Sequence, residues 1–187
     1  MNKIATIAGL AVAASAMTAN AETLLIVDLG TTNSITISAT DGLASASVAG
    51  SDFTGALLAD FFGAPTLVGF LESGGVGDLV YGGEASDGTP GLFNAAGSAG
   101  LNVWSLGGTG SFTAGSQGFT GSATWAVDAG VYADMLAGNA GGDIFAPADS
   151  DDDIGAAVLV GQWEIIPAPS SLALLGMGGL VAGRRRR

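Results

Sequence analysis

The sequence predicts an all-β fold, a single β-sandwich or jelly-roll-like domain with glycine-rich turns. Three observations lead to it. Short runs alternate apolar with small polar residues, turn residues interrupt the chain every ten residues or so, and no long amphipathic helix is visible. Strands of this length and spacing are the pattern of sandwiches and jelly rolls.

The elements follow in order. "LLIVDLGTTNSITIS", residues 24–38, reads as an opening strand, a polar turn from Asp28 to Asn33, and a second strand with Ile35, Ile37 and Ala39 on one face. "LASASVA" alternates more weakly. "TLVGFLE", "LNVWSL", "GSFTA", "SATWAVD" and "AVLVGQWEII" continue the series, each bounded by Gly, Asp, Asn or Pro. Trp163 alternates with Gln162 and Glu164 and is expected to face inward. "TGALLADFFG" and "VYADMLAG" are the two stretches with helical character. Gly82 to Gly100 reads as a mobile glycine-rich loop. The phrases Phe53-Thr54-Gly55, Phe112-Thr113-Ala114-Gly115 and Phe119-Thr120-Gly121 recur at unequal spacing, so they read as strand ends running into turns and not as solenoid repeats.

Charge divides the chain into three parts. The formal net charge is −12 over 187 residues, yet every cation is terminal: Lys3 at one end, Arg184, Arg185, Arg186 and Arg187 at the other. All 17 acidic residues lie from Glu22 to Glu164. Residues 1–21 read as a secretory signal peptide: Lys3, the apolar run "IATIAGLAVAASAM", then Ala19-Asn20-Ala21 as a small-residue cleavage pattern before Glu22. Residues 22–166 form the passenger domain. They hold most of the 32 glycines, and their tryptophans, tyrosines and phenylalanines argue for a folded core over disorder. Cys is absent, so an exported domain of this kind is held by its core and not by disulfides.

Residues 167–187 are the third part. Pro167-Ala168-Pro169 precede a small polar spacer, the apolar Leu172 to Gly183, and the four arginines. The apolar stretch is about 18 Å long as a helix, against about 30 Å of bilayer hydrocarbon, which makes it a marginal anchor. Arginines held on the cytoplasmic side leave the acidic body outside. An ordinary tail anchor would have this topology too. This tail resembles the PEP-CTERM sorting signal of exported bacterial proteins, in a variant form with Ala168 where the usual form has Glu. The resemblance covers only these last residues. It implies recognition and cleavage by an exosortase-type membrane protease, and a structural or adhesive role at the cell surface or in an exopolysaccharide matrix. The expected partners are then the export machinery, that protease and exopolysaccharide, with the membrane touched only through the unprocessed tail.

Other chemistries find little support. "LLIVDLGTTNSITIS" resembles the first phosphate loop of the actin, sugar-kinase and chaperone ATPases. The passenger, however, has no Lys or Arg to meet phosphate and no second acidic glycine-rich loop. Without His, Lys or Cys it also lacks the usual base for a Ser or Thr nucleophile. Only carboxylate-pair chemistry of the glycosidase kind survives, a carboxylate hydrolase being the third reading, and nothing marks such a pair, so it is read as a non-enzyme. An acidic body repels nucleic acid. No cofactor is expected, with structural calcium as the exception: "PADSDDDIG" sets Asp149, Asp151 and Asp153 at alternating positions, as hard oxygen ligands require. The alternative function is an extracellular carbohydrate-binding module that uses calcium and stacks sugars on Trp104 and Trp125.

Overall fold

The opening hydrophobic run becomes a strand at the centre of the sheet. The computed structural model describes residues 21–50, 54–65, 69–82, 90–104 and 110–166. The signal-peptide and sorting-tail readings, with Ala19, Pro167, Ala168, Pro169 and Arg184 to Arg187, lie outside the described residues.

In chain order the elements are β1 (Thr23–Asp28), β2 (Ser34–Ala39), β3 (Ala56–Leu58), β4 (Phe70–Glu72), β5 (Val76–Gly77), β6 (Val80–Tyr81), β7 (Gly91–Asn94), β8 (Leu101–Trp104), β9 (Phe119–Thr120), β10 (Ser122–Ala126), α1 (Ala129–Ala137), β11 (Gly141–Ala146) and β12 (Val158–Ile166). The fold is thus mostly β, with one α-helix among the described residues. Ten strands form one sheet in the order β4-β7-β8-β3-β11-β12-β1-β2-β10-β5, and β6 pairs with β9 separately. The β1–β12 pair is parallel; the other pairs are antiparallel.

The period-2 pattern decides the inner face. Trp125 lies opposite Ile35, Ala123 opposite Ile37, and Ile37 opposite Val27. Leu25 then meets Trp163, Ile144 meets Leu58, and Leu58 meets Leu101. Ala56, Val103 and Leu92 continue the row. All are buried and belong to one hydrophobic cluster. Removing one large side chain of this kind from water contributes about 1.5–3 kcal/mol. The outer face of β2 and β10 carries the small polar partners instead, with the Thr36 and Thr124 hydroxyls hydrogen-bonded at 2.7 Å. A register shift between Thr23 and Leu25 lets both Leu24 and Leu25 be buried. Side chains at Gly118 or Gly161 would collide with Leu24, which explains glycine at those two strand-level positions.

The sheet is curled. Its two edge strands, β4 and β5, stand at opposite ends of the order yet are joined by only Ser73, Gly74 and Gly75. Four residue steps reach at most about 14 Å, so the two edges lie close together. Across the same closure the Trp125 indole Nε1 donates to the Pro90 carbonyl at 3.0 Å, tying β10 to the start of β7. At the end where β1 and β12 finish, α1 crosses the opening. Met135 is its buried residue, and Tyr132 Oη donates to Leu29 O at 2.6 Å.

Several sequence expectations need correction. "TGALLADFFG" yields β3 followed by a turn in which Asp60 has φ 56°, and not a helical turn; α1 takes up "VYADMLAG". Within the supposed mobile loop, residues 91–94 form a strand between β4 and β8. "LASASVA" and "GSFTA" make only single bridges, at Leu43 and Val48 and at Phe112. Their serine hydroxyls serve other backbone groups: Ser45 Oγ donates to Leu159 O, and Ser47 Oγ accepts from Ala114 N. Such local bonds compete with a ladder. Trp163 does face inward, 1% exposed.

Trp125 joins the two ends of the curl, so its loss should be costly. Trp125→Ala is expected to destabilise by about 3–5 kcal/mol, measured as a shift of the urea midpoint. Trp125→Phe should retain most of the packing and lose mainly the indole hydrogen bond.

Candidate functional site

The turn after β1 is built by Asp28. Its carboxylate accepts a hydrogen bond from Gly30 N at 2.7 Å, Ser34 N donates to Thr31 O, and Asn33 takes a left-handed φ of 56°. This is how an Asp-x-Gly turn between strands is formed. The letters that resemble a phosphate loop are accounted for by the turn, and Leu29 within it is buried beneath Tyr132.

Ala21 and Glu22, the two described residues of the expected signal-cleavage site, stand at the start of the described chain. Glu22 is already part of the fold: its carboxylate accepts from Leu43 N at 2.7 Å, and its carbonyl accepts from Gln162 N at 2.8 Å.

The two sugar-stacking candidates separate. Trp125 is 1% exposed on the inner face, so it has no ring surface to offer a sugar, and that assignment is corrected. Trp104 is half-buried at the end of β8. It lies opposite Gly91, where a side chain would press on the indole. Among the described tryptophans, only Trp104 retains an exposed portion.

The acidic segment Asp149–Asp153 lies between β11 and β12, and Asp151–Asp153 form a single 3-10 turn. Asp151 turns inward. Its Oδ2 accepts from Ala99 N at 2.7 Å, and its own N–H donates to Ser98 Oγ at 3.3 Å. Asp153 Oδ2 accepts from Asp149 N at 3.0 Å. The structure thus brings Asp149 and Asp153 together and commits Asp151 to the loop before β8. No group of three acidic side chains stands close enough to hold a metal ion among the described residues. The Asp149 carboxyl is pushed above the usual carboxylate range, first by burial and then by the hydrogen bond and negative charge of Asp153; Ser150 opposes this.

Sequence reading missed a buried polar group beneath this loop. Asn94 Nδ2 donates to Ser98 O at 3.0 Å and to Gly100 O at 2.8 Å, holding the turn that Asp151 meets. Asn102 is 0% exposed, and neither atom of its amide has a hydrogen-bond partner among the described residues. It sits between Leu101 and Val103, so alternation marks it as outward-facing and solvated. The segment after β11, with Ala148 N donating to Gly55 O, buries that face. Nothing in the "LNVW" pattern announces such a cover.

Several described carboxylates here act as acceptors for backbone N–H groups: Asp28 for Gly30, Glu22 for Leu43, Asp151 for Ala99 and Asp153 for Asp149. No known protein family, curated protein or solved structure matches the chain.

Two predictions follow from this geometry. A carboxyl whose folded-state affinity for protons is raised stabilises the fold at low pH, and that stability is lost as pH rises through the raised value. Asp149→Asn removes the cost of ionisation and can donate to Asp153. It should be more stable than the parent at neutral pH, by less than about 1 kcal/mol because solvent screens the loop. The difference should fade on acidification, as read in thermal melts across pH. Asn102→Val removes a buried, unsatisfied amide and should stabilise by about 1 kcal/mol, measured by urea unfolding; a loss of stability would show that the amide is engaged.

Proposed function

We propose that the chain is an exported cell-surface or extracellular-matrix protein, structural or adhesive in role, sorted and processed through its PEP-CTERM-like tail by an exosortase-type protease. The observation that carries this is the tail itself: Pro167-Ala168-Pro169, the apolar Leu172 to Gly183 and Arg184 to Arg187, set against a body without a single cation.

One feature of the fold supports the first boundary: β1 begins at Thr23, directly after the expected cleavage before Glu22. The passenger is read as residues 22–166. We read its curled sheet as sandwich-like, with the β10-β2-β1 side facing the β7-β8-β3 side across one core. No helix among the described residues is long and apolar enough to cross a membrane. In this reading the anchor is the tail, and it is removed once it has been recognised.

A structural or adhesive role suits the inventory. Residues 22–166 offer no His, Lys, Arg or Cys for base or nucleophile chemistry, and several of their described acids hold turns and loop crossings. The like charge keeps copies apart in a hydrated matrix.

Intact mass spectrometry of the protein recovered from its native host tests the reading. The expected mature species starts at Glu22 and ends within residues 167–171. A mature species that keeps the four arginines would overturn the sorting proposal.

A further inference from the structure

The parallel β1–β12 pair gives the domain a polarity. Thr23 lies beside Gln162 and Asp28 beside Ile166, so the chain enters the sheet at one pole and leaves it at the other. The exit pole is the one that α1 crosses. The helix follows β10, binds Leu29 through Tyr132, and is succeeded by Asn139, whose N–H donates to Phe61 O at 3.2 Å, and Ala140, whose carbonyl accepts from Ile165 N at 2.8 Å. The pole has an exposed apolar surface. Leu136 is 57% and Ile166 50% exposed, and Ala133 and Ala137 are also exposed; Asp134 is the only charge in the helix.

We propose that this α1 pole is the membrane-proximal face of the anchored precursor, and that the partner it meets is the outer lipid surface. The inference rests on the tail acting as a membrane anchor. Between Ile166 and the first apolar tail residue, Leu172, stand only Pro167-Ala168-Pro169-Ser170-Ser171. Six residue steps reach at most about 20 Å, and the two prolines limit how that tether can bend. The opposite pole, with Asp41 and Leu43, is a further strand length away, about 17–20 Å for β2. The tether therefore holds Leu136 and Ile166 nearest the bilayer while Asp41 points outward.

The contact is held by the tether and not by attraction. Asp28, Asp128 and Asp134 are exposed on this pole, and the described residues have no cation to bind anionic headgroups. A short link supplies the high local concentration that such a weak contact requires. Cleavage within residues 167–171 removes the link and frees the domain without altering β12.

Because the chain has no cysteine, single introduced thiols report on one place each. Full-length Leu136→Cys, Thr32→Cys and Asp41→Cys variants, each carrying a bimane fluorophore, are reconstituted into phosphatidylcholine vesicles with brominated acyl chains. Thr32 lies in the β1–β2 turn at the α1 pole and keeps the test independent of the helix. The expected result is severalfold greater quenching at positions 136 and 32 than at 41, lost when each chain is truncated after Ile166. Equal quenching at the three positions, greater quenching at 41, or none at any of them in vesicle-bound protein would overturn the proposal. Co-sedimentation is read separately: full-length protein that fails to pellet with vesicles overturns the anchor reading and this inference with it.

Discussion

A body with 17 acidic residues and no cation between Lys3 and Arg184 cannot hold itself together with ion pairs. The rest of the structure follows from that constraint. Among the described residues, several acids are turned toward backbone N–H groups. Asp28 holds Gly30, Glu22 holds Leu43, Asp78 holds Ser122, and Asp151 holds Ala99. A charged acceptor on a neutral donor is stronger than a neutral pair, and here it fixes turns and loop crossings. Stability then has to come from apolar burial, and the inner face supplies it as one cluster of side chains reaching from Trp125 to Leu92. One site shows the constraint under stress: Asp149 and Asp153 are brought together with nothing positive to separate them.

The second determinant is topological. β1, the first strand of the domain, lies between β2 and β12, and β12 is the last. The centre of the sheet is complete only when both ends of the passenger are present. The finished fold therefore requires residues up to Ile166. Contacts so distant in sequence are slow to form because loop closure must precede them.

Much of the sheet was legible in the residues. Ile35 and Ile37, Ala123 and Trp125, and the Gln162-Trp163-Glu164 alternation each name a strand and its buried face, because a strand's period is short and local. What was not legible depends on partners far along the chain. Trp125 looked as available to a sugar as Trp104; only the curl, which brings Pro90 to its indole, makes it core. Asn102 looked solvated until the segment after β11 covered it. Asp151 stood in the right series for a metal, but Ser98 and Ala99, some fifty residues away, draw it out of that series. Gly91 to Asn94 read as loop because glycine conceals strand character that its neighbours β4 and β8 impose.

The parallel pairing of β1 with β12 also decides how the domain bears load. Suppose a polymer or neighbouring cell pulls the Glu22 pole while the chain beyond Ile166 is held. The two strands are then drawn along their length in opposite directions. Their hydrogen bonds, from Thr23 with Gln162 to Asp28 with Ile166, lie across the pull and must yield together. Antiparallel ends joined at one edge would peel apart one bond at a time. The threading of this sheet gives it the first arrangement, so it resists a pull applied between its two chain ends.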